Sequence, residues 1–362
     1  VIVTTPRMRR ALLSAFPELL GYALPAVRLH PRAGAPTPRQ SSVGGPLLWP
    51  RDGPWPVCSD PHPITKTRPM TDEEIEGFEA QRKEHARRTL AREESRGRVR
   101  RPEVLAFIAA GPTRIGQFGI TPEGYAVTWE AEEIPAEPVA MIPVVQLFRS
   151  EAGDFPFPDG TDLLQILWCP NDHKQWRGPR SVPVWRDSAS VGALLDSPPP
   201  CTLIERPQYV PNPCVAHPEP IVEFPPICQL ADLGHGRLLG RMPAELEQRL
   251  RIWDADQPEK ESYFHLAHAP GWKIGGWDSS WIDPAHLEDC PCGAPMRPLL
   301  EVDRGEFLSC VWSPAEEPHF PWGDPARWQD QEPTGVSPGR DGLYWVLACT
   351  ADASHALSHS LR

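Results

Sequence analysis

No stretch of this 362-residue chain comes near the ~18 uninterrupted apolar residues that a membrane-crossing helix needs. Lysine is almost missing. Lys66, Lys83, Lys174, Lys260 and Lys273 are present, and the rest of the basic charge is arginine, a bias typical of GC-rich bacterial genomes. With 48 acidic against 36 basic residues the net charge is −12, which repels a phosphate backbone and argues against generic nucleic-acid binding. Cysteine offers no disulfide framework. Nine thiols, an odd number, are spread over the whole length, as expected of reduced thiols in a cytoplasmic protein. There is no phosphate loop, no dinucleotide fingerprint and no nucleophile elbow, and no Ser or Cys has a readable His/Asp partner set. The balance leans towards a non-enzyme and leaves an enzyme as the alternative.

Proline is in excess instead, at 47 residues beside 27 glycines and 14 tryptophans. Proline inside a helix removes a hydrogen bond and clashes with the preceding turn, so a long-helix bundle is excluded. The tryptophans and 40% hydrophobic residues still demand a buried core. Short strands joined by Pro-rich loops satisfy both. Near the start, Pro17 and Glu18 interrupt the apolar run Ala11–Leu20, so an amphipathic first helix is expected over 7–28, broken at Pro17 and Pro25, and not a secretory signal. The opening Val1 reads as a GTG start codon taken literally.

Composition changes abruptly at Thr71–Arg98, which has no proline and is mostly charge. Thr71 and Glu74 form a capping-box pattern, so one exposed, inserted helix is predicted over about 71–98. It serves as a solvated excursion or as a partner-binding arm. Strands are predicted at Val104–Ala110, Tyr125–Trp129, Met141–Arg149, Leu163–Cys169 and Leu343–Cys349, and a helix at Ala244–Ile252. Residues 198–226, with ten prolines, read as an extended connector between a first half (1–197) and a second half (227–362).

The halves look related. SVGGPLLWP (42–50) parallels WKIGGWDSSWIDP (272–284), Met141–Phe148 parallels Met296–Val302, and Gly160–Cys169 parallels Arg340–Cys349, in the same order. The predicted class is α+β, two β-rich halves from internal duplication. Each Gly-Gly pair frees the backbone for a turn, a bulge or a close approach. Gly44, Gly45 and Trp49, with Gly275, Gly276 and Trp277, are the candidate ligand- or partner-binding residues, because aromatics beside backbone-accessible turns make good binding surfaces.

These motifs resemble the YwqG-like family of bacterial proteins. The resemblance rests on Val43-Gly44-Gly45-Pro46 with Trp49-Pro50 or Trp55-Pro56, Val144-Val145-Gln146-Leu147, Asp162-Leu163-Leu164-Gln165-Ile166, Lys273-Ile274-Gly275-Gly276-Trp277 and Gly342-Leu343-Tyr344-Trp345. It covers most of 40–350. The inserted helix, the Pro-rich connector and a Gly-Gly-Trp in place of Gly-Tyr-Pro depart from the family pattern. The resemblance implies an α+β fold with duplicated sheets and an accessory or immunity-like role, and it carries over no catalytic residues.

Cys290-Pro291-Cys292-Gly293 resembles a zinc knuckle shortened by one residue. Cys349 and His355 could complete a structural zinc set, with His359 or Cys310 as substitutes. The plainer alternative is a turn carrying two ordinary thiols. Cys169-Pro170-Asn171-Asp172-His173 offers one Cys and one His and reads as a loop after a strand. His265 and His268 lack an orienting carboxylate at a recognisable spacing, and Asp154, Asp159 and Asp162 are turn residues first. The expected function is a non-catalytic cytoplasmic module that binds a protein partner or a small ligand, with no nucleic-acid or membrane partner. The alternatives are a small-ligand enzyme using His265, His268 or Asp278 in a cleft between the halves, and a zinc-stabilised adaptor docking through 71–98.

Overall fold

The computed structural model describes residues 4–6, 9–96, 101–226, 242–258, 261–277, 289–303, 306, 310–313, 332–339 and 342–361. Helices are α1 (Arg9–Ala15), α2 (Asp72–Ser95), α3 (Pro102–Ala110), α4 (Ala244–Ala255) and α5 (Tyr263–Ala267). The first strands are β1 (Leu24–Arg28), β2 (Arg32–Ala33), β3 (Ser42–Val43), β4 (Val57–Cys58), β5 (His62–Pro69), β6 (Arg114–Ile115), β7 (Phe118–Thr121), β8 (Gly124–Glu133) and β9 (Val139–Ala140). They are followed by β10 (Ile142–Phe148), β11 (Leu163–Cys169), β12 (Arg180–Arg186), β13 (Cys214–Val215), β14 (Glu219–Glu223), β15 (Lys273–Gly275), β16 (Met296–Asp303), β17 (Leu343–Cys349) and β18 (Ser358–Leu361). The class is α+β with antiparallel sheets. The chain divides into a main body, Val1–Asp60 with Pro135–Arg362, and an inserted unit, Pro61–Ile134.

The main body holds two six-stranded sheets. The first runs β12-β11-β10-β3-β13-β2 and the second β18-β17-β16-β15-β1-β14. The register also matches. Pro143 lies opposite Leu167 and Pro298 opposite Leu347, and a bulge follows each proline. Val43 pairs with Val145 as Ile274 pairs with Leu300. Alternation then divides each strand between two faces. Val145, Leu164, Ile166 and Trp168 of the first sheet share one core with Val27, Ile274, Leu300, Tyr344 and Val346 of the second. β11 is buried at every residue, since its other face packs under Trp49, Cys58 and Met141. Leu12, Leu19, Leu246, Leu250 and Leu266 form a separate helical core.

Strand membership crosses the expected boundary. β1, from the N-terminal segment, sits in the second sheet between β14 and β15, while β13 sits in the first between β2 and β3. The division 1–197/227–362 therefore does not follow the sheets, and 198–226 is more than a connector. Its prolines leave Cys214-Val215 clear to pair on both sides, and Pro220 lies in an edge strand, where a missing N–H is tolerated. Pro25 is likewise accommodated in a strand, β1, and not in a helix.

The inserted unit is larger than one helix. It carries α2, α3 and a four-stranded sheet, β5-β8-β7-β6, around Met70, Phe78 and Val127. The capping box forms as predicted: the Thr71 N–H donates to Glu74 Oε2 at 2.9 Å and the Glu74 N–H to Thr71 Oγ1 at 3.3 Å. The Arg68 guanidinium on its carboxylate and the Thr71 N–H pull Glu74 down to about 2. Val104–Ala110 is a helix, not a strand. Pro102 opens it, its alanines and Leu105 favour it, and Gly111 ends it at φ 74°.

Both Gly-Gly pairs adopt left-handed backbone, Gly44 and Gly45 at φ 79° and 81°, Gly275 and Gly276 at φ 74° and 83°. Close approach adds a second requirement at Gly276, where a Cβ would lie 2.2 Å from Glu223 Oε2. Gly276→Ala is expected to destabilise the fold by about 2 kcal/mol or more. Chemical denaturation against wild type measures this, and an unchanged midpoint contradicts it.

Candidate metal centre

The bulged β16–β17 pairing sets Met296 opposite Cys349. The turn at Cys290–Gly293, immediately upstream, thereby folds over the end of β17. The Gly293 N–H donates to the Cys290 carbonyl at 2.7 Å, and Gly293 takes φ 85°. The donor atoms of Cys290, Cys292, Cys349 and His355 come within 4.8 Å of one another. Cys290 Sγ lies 3.4 Å from His355 Nδ1, and Cys292 Sγ lies 3.6 Å from Cys349 Sγ. Burial opposes ionisation of Cys349, but the N–H of Ala351, His355, the N–H of Asp352 and Cys290 outweigh it and bring the thiol down to about 6. This donor set can hold a metal ion. Of the proposed substitutes, His359 lies in β18, where its Nε2 accepts from the Ser181 N–H at 3.2 Å. The side chain of Cys310 lies outside the described residues.

The first sheet gathers thiols at the matching corner. Cys169 ends β11 as Cys349 ends β17, and β4 brings Cys58 to it. The donor atoms of Cys58, Cys169 and His173 also lie within 4.8 Å of one another. The segment 169–173 is thus not an isolated loop. The missed sequence signal is a repeated spacing, Cys58-x-x-x-His62 and Cys169-x-x-x-His173.

The Gly-Gly residues are placed in the interior. Trp49 and Trp277 are buried, with the guanidinium of Arg186 and of Arg297 respectively lying 4.0 Å over each ring. Gly44 and Gly45 bring the chain against Asn212 and Pro143. Downstream, Gln146 Oε1 accepts from the Leu48 N–H at 2.7 Å and from Gln165 Nε2 at 2.8 Å. Gly275 and Gly276 line a cavity of about 970 Å³ with Phe155, Phe157, Trp185, Arg297 and the Cys349–Ser354 segment. One wall of the cavity is thus the segment that joins Cys349 to His355. Neither His265 nor His268 lines it, and Asp278 lies outside the described residues.

Beneath the second Gly-Gly pair lies a buried ion cluster. Lys273 Nζ reaches Glu223 Oε1 at 2.8 Å and Glu301 Oε2 at 3.2 Å, and the Trp277 N–H donates to Glu223 Oε2 at 2.9 Å. Burial opposes the Lys273 charge, but Glu223 and Glu301 overcome it and raise the ammonium above its ordinary range. Burial, with the charges of Glu223 and Asp303, pushes Glu301 up to about 7 against the pull of Lys273. Comparison of the chain with protein-family models and with curated proteins gives no match.

An acid raised in the folded state contributes stability that is full below its ordinary pKa and is lost as pH rises through the folded value. Wild type is therefore expected to lose stability relative to Glu301→Gln between pH 4.5 and about 7, by at most about 3 kcal/mol. Denaturation midpoints of the two proteins across that window check this, and parallel curves contradict it.

Proposed function

We propose that the protein is a non-catalytic binding module in which a small apolar ligand, or apolar side chains of a protein partner, enter the cavity beside Gly275 and Gly276. The cavity carries the reading. Its 970 Å³ is the size of a small-molecule site, its walls are aromatic, and Arg297 supplies a cation. The thiol in its lining, Cys349, belongs to the metal-ligand set, so it is not a free nucleophile.

Zinc fills the Cys290, Cys292, Cys349 and His355 set in this reading. Tetrahedral zinc holds sulfur–sulfur edges of about 3.8 Å and sulfur–nitrogen edges of about 3.6 Å. The separations of 3.6 and 3.4 Å are close to these. Four protein ligands leave no open position, so the ion is structural and braces the cavity wall. Internal duplication accounts for the matched sheet orders, the paired bulges and the Arg-over-Trp contact at each Gly-Gly turn. The YwqG-like kinship and a bacterial cytoplasmic setting, where thiols stay reduced, belong to the same reading, as does the absence of a nucleic-acid or membrane partner. Among the described residues, no helix is long and apolar enough to cross a membrane.

A second reading, the adaptor, draws on the inserted unit. α3 buries no residue and leaves Leu105 40% and Phe107 78% exposed. The docking element is then α3, beside the charged α2.

Ala348→Trp fills the cavity. Affinity capture from the native bacterium is expected to lose its ligand or partner with this variant and keep it with Leu105→Glu/Phe107→Glu. The reverse pattern supports the adaptor, and capture unaffected by either change removes both readings. Metal analysis of purified protein is expected to show that Cys349→Ser costs one zinc equivalent per chain.

A further inference from the structure

We propose that the main body carries a second metal site, at the end of β11, with Cys58, Cys169 and His173 as zinc ligands. Two separate segments deliver the donors: β4, and the end of β11 with the turn after it. Cys58 Sγ stands 3.4 Å from His173 Nε2, near the sulfur–nitrogen edge of about 3.6 Å in a zinc tetrahedron. All three side chains are buried.

The surroundings are those of metal ligands. His173 Nδ1 lies 3.0 Å from the Gly178 carbonyl. That contact places the ring proton on Nδ1 and turns the Nε2 lone pair towards Cys58, as a second partner does for a zinc-bound imidazole. Asn171 Nδ2 donates to Cys169 Sγ at 3.4 Å, a bond that stabilises a thiolate. Asp172 is occupied elsewhere, by Arg206 and by the Tyr209 hydroxyl, so the turn at 171–173 is held from both sides. Both thiols stand in the interior. Zinc displaces both protons and converts a loose thiol–imidazole contact into coordination bonds.

The site does not depend on the Cys290 centre, though the two occupy matching sheet corners. β4 pairs with β9, Val57 opposite Ala140 and Cys58 opposite Val139, at the stem where the chain leaves for the inserted unit and returns. A metal on Cys58 ties that stem to β11.

Zinc content of the purified full chain, measured by elemental mass spectrometry, tests the proposal. Two equivalents per chain are expected, falling to one in Cys58→Ser/Cys169→Ser and to one in Cys349→Ser. A wild type with one equivalent that survives Cys58→Ser/Cys169→Ser and vanishes in Cys349→Ser overturns the second site and leaves the first intact. One equivalent with the opposite pattern supports the second site and removes the first. A chain with no zinc overturns both. Should a variant fail to fold, zinc-edge X-ray absorption of the wild type decides. A two-sulfur environment beside the three-sulfur one is expected, and a three-sulfur environment alone overturns the proposal.

Discussion

A lysine with no access to water organises the second sheet. Lys273 projects from β15 between Glu223, two strands away on β14, and Glu301 on the adjacent β16. A buried ion cluster of this kind adds little net stability over a hydrophobic replacement, but leaving one member without its partner costs about 3–5 kcal/mol. Its physical effect is therefore registry. A one-residue slip of β15 would turn Lys273 onto the apolar core and Ile274 out of it. Glu223 carries the constraint onward by holding the Trp277 N–H, which it reaches only because Gly276 has no side chain. The floor of the cavity follows from that bond.

The first sheet solves the same problem without charge. Ser42 stands where Lys273 does, and Gln146 where Glu301 does, each pair at the same register. Amides satisfy the buried backbone there, Gln146 and Gln165 holding Leu48. Neutral groups avoid the desolvation cost of ions, so this sheet needs no counter-charge. At the outer strand ends the resemblance returns. Trp168 and Ala348 pack on the shared core, and the next residue in each strand is the terminal cysteine, Cys169 or Cys349. Cys169 there meets Cys58 from β4 and His173 from the following turn, and Cys349 meets Cys290, Cys292 and His355 from turns.

Much of this was legible in local pattern. Leu163–Cys169 and Leu343–Cys349 read as strands because Val, Leu, Ile and aromatic residues crowd between turn signals, and both are strands with those bounds. The Thr71–Glu74 cap marked the start of α2, since capping chemistry is confined to four residues. The donor atoms of Cys290, Cys292, Cys349 and His355 lie together, as order along the chain suggests, because the Met-x-Pro strand and the last strand are neighbours. Val104–Ala110 is not decided locally, since a short apolar run has the same appearance in a strand and a helix. Cys58 was not joined to Cys169 and His173, because more than a hundred residues, including a folded insertion, separate them.

Short-range chemistry is thus written in the residues themselves: most element types, the Thr71 cap and the left-handed Gly-Gly turns follow from backbone sterics and side-chain periodicity. The placement of β1 and β13 in each other's sheets was not. Two strands of similar composition can pair with either sheet at similar local energy, and the choice rests on which arrangement closes the shared core. The clustering of distant thiols and the cavity beside Gly275 are consequences of that closure, which is a property of the whole packed body and of no segment within it.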